Sequence, residues 1–153
     1  AIVDLNGKWL DGTFKPSSEV PMHTAVMRAR KDVKATVHTH GMFATIAAMY
    51  GELLPTTPPQ AEFVPVGIVP FTGSDEVADR VVEALGETGR AVLIKNHGLF
   101  CCGKDMKAAM SATVYTEEMA QTSYYAKAAG VFQPMPEEAV RKMKELIAAD
   151  QAV

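Results

Sequence analysis

The chain has 153 residues, 48% of them hydrophobic, with 15 lysines and arginines against 18 aspartates and glutamates and a formal net charge of −3. That apolar share and the even spread of charge exclude a disordered chain, and the length suits one domain that buries a core without disulfide staples. A slightly acidic chain lacks the basic face that phosphate-backbone binding needs, which excludes nucleic acid as a generic partner.

Ile2–Leu5 and Lys8–Leu10 flank Asn6-Gly7, a pattern that predicts two short strands joined by a type I′ turn, so that the chain opens inside a sheet. In Pro16-Ser17-Ser18-Glu19 a serine is expected to cap a helix whose apolar residues Met22, Ala25, Val26 and Ala29 recur at helical spacing. Pro21 falls in the first turn of that helix, where its missing N–H costs nothing. Val33 to His40 alternates with the period of a strand, which puts His38 and His40 on one face.

A short helix is expected from about Met42 to Tyr50, stopped by Gly51; this longest near-apolar run is far shorter than the roughly 20 residues of a membrane span. Pro55 to Pro59 reads as a loop, and Phe63 to Phe71, broken by Pro65 and Pro70, as an edge strand. Ser74-Asp75 is expected to cap a helix that shows Val77, Val81, Val82 and Leu85 on one face and ends near Gly86. Ala91–Ile94 reads as a short buried strand, with Leu99–Cys102 returning as its hairpin partner across His97-Gly98. The adjacent Cys101 and Cys102 would form a strained vicinal disulfide and have no companion thiols for a metal site, so they read as reduced thiols of a cytoplasmic protein.

Asp105 opens a long helix to about Ala129, whose Met106, Met110, Val114 and Met119 suggest core packing, and Pro136-Glu137-Glu138 starts a terminal helix. The order β-β-α-β-α-β-α-β-β-α-α predicts an α/β sandwich with antiparallel or mixed strand pairing. No basic segment precedes an apolar one near Ala1, so no secretory signal is expected.

Two of the four histidines form His38-Thr39-His40. Residues i and i+2 of a strand project from one face about 6.5 to 7 Å apart at their Cα atoms, close enough for both imidazoles to reach one ion. A polar surface pair fits that pattern equally well. His97, between Asn96 and Gly98 at the end of a buried strand, sits where a turn aims a side chain into a cleft, and where a capping or core histidine is also at home. Three neutral imidazoles together are the minimal platform of a catalytic zinc site with one position left open, and Glu19 is the carboxylate that could join them.

Pro16-Ser17-Ser18-Glu19, His23, His38-Thr39-His40 and Asn96-His97-Gly98-Leu99 resemble the class II aldolase and adducin-head family, which contains L-fuculose-1-phosphate aldolase and related sugar-phosphate enzymes. The resemblance runs from residue 1 to about residue 130. It implies a three-layer α/β/α sandwich with a mostly antiparallel, mixed central sheet. It also implies one Zn2+ per subunit, with Mn2+ or Co2+ as alternatives, held by His38, His40 and His97, and Glu19 as acid/base.

The activity so implied is retro-aldol cleavage of a small phosphorylated ketose through a zinc-stabilised enediolate. Glutamate at position 19 favours aldolase chemistry, because the epimerase branch of the family carries aspartate there. The alternatives are a dehydratase, decarboxylase or epimerase on the same scaffold, or a non-catalytic adducin-head-like binding module. Ser17 and Ser18 are candidate substrate contacts as well as capping residues. The family's Gly-Asn-x-Ser and Thr-Pro-Ser-Gly-like phosphate loops are not found, so residues 1–153 are expected to be one domain without its N-terminal portion. A cytoplasmic homotetramer completes what the resemblance implies. None of the tyrosines Tyr50, Tyr115, Tyr124 and Tyr125 matches the distal acid of the fuculose phosphate enzyme.

Overall fold

A computed structural model describes residues 1–151, with the side chains of Ser74, Asp75, Asp150 and Gln151 left out; the expected capping by Ser74 and Asp75 lies outside the described residues. The order of elements is β1 (Ile2–Val3), β2 (Trp9–Asp11), α1 (Val20–Ala29), β3 (Ala35–Thr39), α2 (Met42–Tyr50), a 3-10 helix (Pro58–Phe63), β4 (Gly67–Val69), α3 (Ser74–Leu85), β5 (Ala91–Ile94), β6 (Gly98–Gly103), α4 (Met106–Ala128) and α5 (Glu137–Gln151).

The central sheet has four strands in the order β3-β6-β5-β4. β6 runs antiparallel to both β3 and β5, and β4 lies parallel to β5 at the edge. Period-2 alternation along β5 and β6 sorts their side chains to two faces. Val92, Ile94, Phe100 and Cys102 pack with Met22, Val26, Val77 and Val81 under α1 and α3. Ala91, Leu93, Leu99 and Cys101 pack with Ala44, Ala47, Ala112 and Met119 under α2 and α4. The result is a three-layer α/β/α sandwich with a mixed sheet. Leu93, Ile94, Leu99 and Phe100 are all fully buried, each worth about 1.5–3 kcal/mol of transfer free energy.

Five local expectations are corrected. The β1–β2 ribbon is a two-stranded sheet of its own. Its turn is not type I′, because among the described non-glycine residues only Asn96 has positive φ. Asp4 Oδ1 accepts from the N–H groups of Asn6 and Lys8, which draws the turn onto Asp4–Gly7 and leaves only Gly7 left-handed. The N-cap of α1 is Glu19 and no side chain caps it; Ser17 Oγ accepts the Glu19 N–H instead.

The Phe63–Phe71 strand shrinks to Gly67–Val69, because the chain before it winds into the 3-10 helix. Buried Gln60 holds that turn, accepting from the N–H groups of Thr56 and Thr57 and donating to Glu118 on α4. The methionine stripe of α4 is largely exposed at Met106, Met110 and Val114. Their i, i+4, i+8 spacing marks a single face, and the buried face carries Ala109, Ala112, Thr116, Met119 and Ala120.

Candidate metal centre

Backbone pairing sets the first ligand. His38 stands opposite Phe100 in the β3–β6 ladder, so its side chain leaves the sheet on the face covered by α1. His40 follows one residue past the last pair, Thr39 with Leu99. His97 closes the turn between β5 and β6: its N–H donates to the Ile94 carbonyl, and Asn96 before it takes φ 55°, a left-handed conformation that asparagine tolerates.

Three side chains thereby meet. His38 Nε2 lies 3.1 Å from His40 Nε2 and 3.1 Å from His97 Nε2, and one ring nitrogen of each falls within 4.8 Å of the others. His38 Nδ1 is 2.9 Å from the Leu99 carbonyl oxygen. A carbonyl only accepts, so Nδ1 carries the proton and Nε2 presents its lone pair to the cluster. Burial pushes the His38 imidazole below its ordinary value, against the pull of the Leu99 carbonyl, and this favours the neutral form. Phe71 stacks on His97 with ring centroids 4.4 Å apart and planes 10° from parallel.

Convergent imidazole nitrogens satisfy one another poorly, since each hydrogen bond between them needs a proton on one partner. A divalent cation satisfies all three lone pairs at once, and an all-imidazole donor set suits a first-row transition metal. The residues present therefore fit a metal ion.

Glu19 reaches the cluster from the start of α1, its Oε1 3.9 Å from His97 Nε2 and its side chain 22% exposed. One turn further on, His23 is bonded through Nδ1 to Thr36 Oγ1 at 2.7 Å and lies tilted against Phe100, centroid to centroid 5.4 Å. Burial lowers the His23 pKa, with Glu19 pulling it the other way. His23 thus packs beneath the site.

Ser17 and Ser18 are exposed and join a different cavity of about 450 Å³, with Asn6, Gly7, Thr24 and Arg28. A larger cavity, about 530 Å³, lies beside α5 between Leu53, Val64 and Val140 and contains none of the four residues of the cluster. The tyrosine rings make their contacts elsewhere: Tyr115 on Phe63, Tyr124 and Tyr125 on Phe43, and Tyr50 beneath Lys127.

Two supports escape or reward a reading of the sequence. Gly98 is needed for close approach: a Cβ there would stand 2.3 Å from the Thr39 carbonyl oxygen and 2.9 Å from His40 Cδ2. Glu117 gave no signal. Its carboxylate accepts from the N–H groups of Phe43 and Ala44, both at 2.8 Å, tying α2 to α4 immediately after His40. Only the glycine at position 41 and the bare helix start after it hint that a cap must come from outside.

The chain belongs to the class II aldolase and adducin N-terminal domain family, whose model matches residues 1–124. Within that family it is 35% identical, over 127 residues covering 80% of this chain and 68% of the relative, to an L-fuculose phosphate aldolase of Methanococcus maripaludis. A 5-deoxy-D-ribulose 1-phosphate aldolase of Bacillus thuringiensis is 33% identical over 146 residues, which cover 93% of this chain and 68% of the relative. The solved structure of an L-fuculose 1-phosphate aldolase superposes with a TM-score of 0.84 and 28% identity, covering 95% of this chain and 70% of that one.

Proposed function

We propose that the chain is a metal-dependent lyase domain, spanning residues 1–153, that cleaves a small phosphorylated ketose by retro-aldol chemistry. The observation that carries this reading is the convergence of His38, His40 and His97 on one point with the Glu19 carboxylate beside them. The three imidazoles would hold one Zn2+, or Mn2+ or Co2+, which supplies Lewis acidity opposite the negative charge that builds on substrate oxygens during cleavage.

Glu19 is the proton carrier. When the C–C bond breaks, the hydroxyl on the departing carbon gives its proton to solvent as that carbon becomes an aldehyde, and the electron pair of the broken bond passes to the carbon next to the carbonyl; the Glu19 carboxyl, protonated from solvent, delivers a proton to that carbon, and the carboxylate removes it again in the condensation direction. Ser17 and Ser18, exposed before α1 with Arg28 nearby, are proposed contacts for the substrate phosphate. The exposed Met106, Met110 and Val114 support a homo-oligomer, a tetramer by family likeness, and the free buried Cys101 and Cys102 support a cytoplasmic location. The alternative is a non-catalytic binding module that keeps the metal for structure; a set of three imidazoles, which leaves a coordination position open, supports the catalytic reading.

The test is a cleavage assay across ketose 1-phosphates with zinc-loaded wild type and Glu19→Gln. The expected result is wild-type release of a three-carbon ketose phosphate and a loss of roughly 10²- to 10⁴-fold in kcat for the variant, with its metal retained. Full activity in Glu19→Gln would remove Glu19 from its role. Failure of loaded wild type to cleave any ketose 1-phosphate would overturn the aldolase reading.

A further inference from the structure

We propose that Glu117 on α4 is a positioning residue for His40, an inference that rests on the reading of His38, His40 and His97 as metal ligands. The three imidazoles are not held alike. His38 sits inside the ladder with its Nδ1–H bonded to Leu99, and His97 is fixed by a hydrogen-bonded turn and the stacked Phe71 ring. His40 lies beyond the last β3–β6 pair, is exposed, and among the described residues has a single hydrogen-bond contact from its ring, to His38 Nε2.

What holds the backbone at His40 is the segment that follows. Gly41 is the N-cap of α2 and has no side chain to bond the free N–H groups, and the first turn of α2 has no acidic residue. The Glu117 carboxylate supplies both functions from another element. It takes the N–H groups of Phe43 and Ala44 at 2.8 Å each, the short distance of charge-assisted bonds, at the positive end of the helix.

The seat is tight. A Cβ on Gly41 would stand 2.5 Å from Glu117 Oε2, so the carboxylate lies directly against the backbone of the residue after His40. On the other side, Gly98 leaves the His40 ring just enough room. α4 is anchored in the core through Ala112, Thr116, Met119 and Ala120, which makes Glu117 a rigid strut between the core and the outermost imidazole. Groups that orient ligands in this way commonly change metal affinity by about 10- to 100-fold when removed.

The experiment measures Zn2+ dissociation constants by chelator competition for wild type, Glu117→Ala, His40→Ala and the double variant. NMR spectra of the histidine rings in the metal-free proteins accompany them. Glu117→Ala is expected to weaken Zn2+ binding about tenfold or more when His40 is present, and by no more than about twofold in the His40→Ala background, the usual limit of additivity for unconnected sites. In the metal-free protein the His40 ring signals should move further than those of His97, whose ring lies 4.9 Å away, centroid to centroid.

Unchanged affinity in Glu117→Ala, an equal loss in both backgrounds, or His40 and His97 signals that move equally or not at all would overturn the proposal. Glu117→Gln serves if the alanine variant does not fold. It keeps the shape and one acceptor oxygen, and a smaller loss that still requires His40 is expected; wild-type affinity would count against the strut. Wild type that binds no Zn2+ would refute the metal reading by itself, and the ring signals would then decide on Glu117.

Discussion

The imidazole of His38 and the carbonyl of Leu99 are bonded across the β3–β6 pair at 2.9 Å, so the strand register dictates which nitrogen faces the cluster. The proton sits on Nδ1 and Nε2 is bare, in the neutral form that burial favours. Long-range 1H–15N correlation spectra of the metal-free protein should show His38 as the Nδ1–H tautomer near neutral pH. A protonated Nε2 there would contradict this orientation of the ring.

Gly98 couples the fold to the site. Adding one methyl group in Gly98→Ala drives it into the Thr39 carbonyl and the His40 ring, so strand β3 must separate from β6. The expected cost is about 1–3 kcal/mol in urea denaturation, together with weaker metal binding. Wild-type values for both would show that the close approach is not required.

Arg30 and Asp32 give a prediction about acid. The Arg30 side chain is 8% exposed, and its guanidinium donates to both oxygens of Asp32 and to the carbonyls of Gly86 and Gly89, just past the end of α3. Its hydrogen bonds hold the Asp32 carboxyl down at about 2, from an ordinary 3.8. A carboxyl whose pKa is lowered on folding contributes stability that is complete above the ordinary value and is lost as pH falls toward 2. Asp32→Asn should remove that part of the slope between pH 4 and 2 and cost about 1 kcal/mol at pH 7, a modest figure because half of the Asp32 side chain is in water. Urea denaturation across that range checks it; identical slopes would show that the pair contributes nothing.

Much of the fold was legible because its signals are local. Alternation around His38, the apolar run Ala91–Ile94, and Asp105, whose Oδ1 accepts the Ala108 N–H, each specify an element within a few residues. Legibility failed where a side chain works at a distance. Gln60 shapes the 3-10 helix only with Glu118 opposite it, 58 residues along the chain. Glu117 caps a helix 74 residues away from its own position, and the bare start of that helix at Gly41 does not say where its cap comes from. In the ribbon, Asp4 captured N–H groups that the Asn6-Gly7 signal assigned to another turn. The histidines of the candidate site were readable as residues and as a spacing. Their convergence needed the β5–β6 turn, where the left-handed Asn96 sets where His97 points.

The central claim is that His38, His40 and His97 hold one divalent ion, and metal analysis tests it most directly. Wild type and a variant with all three histidines changed to alanine are loaded with Zn2+, passed through gel filtration, and assayed for bound metal and for cooperative unfolding. One zinc per chain in the wild type and none in the folded triple variant is the expected result. Wild type without stoichiometric metal, or a triple variant that still carries one zinc per chain, would contradict it.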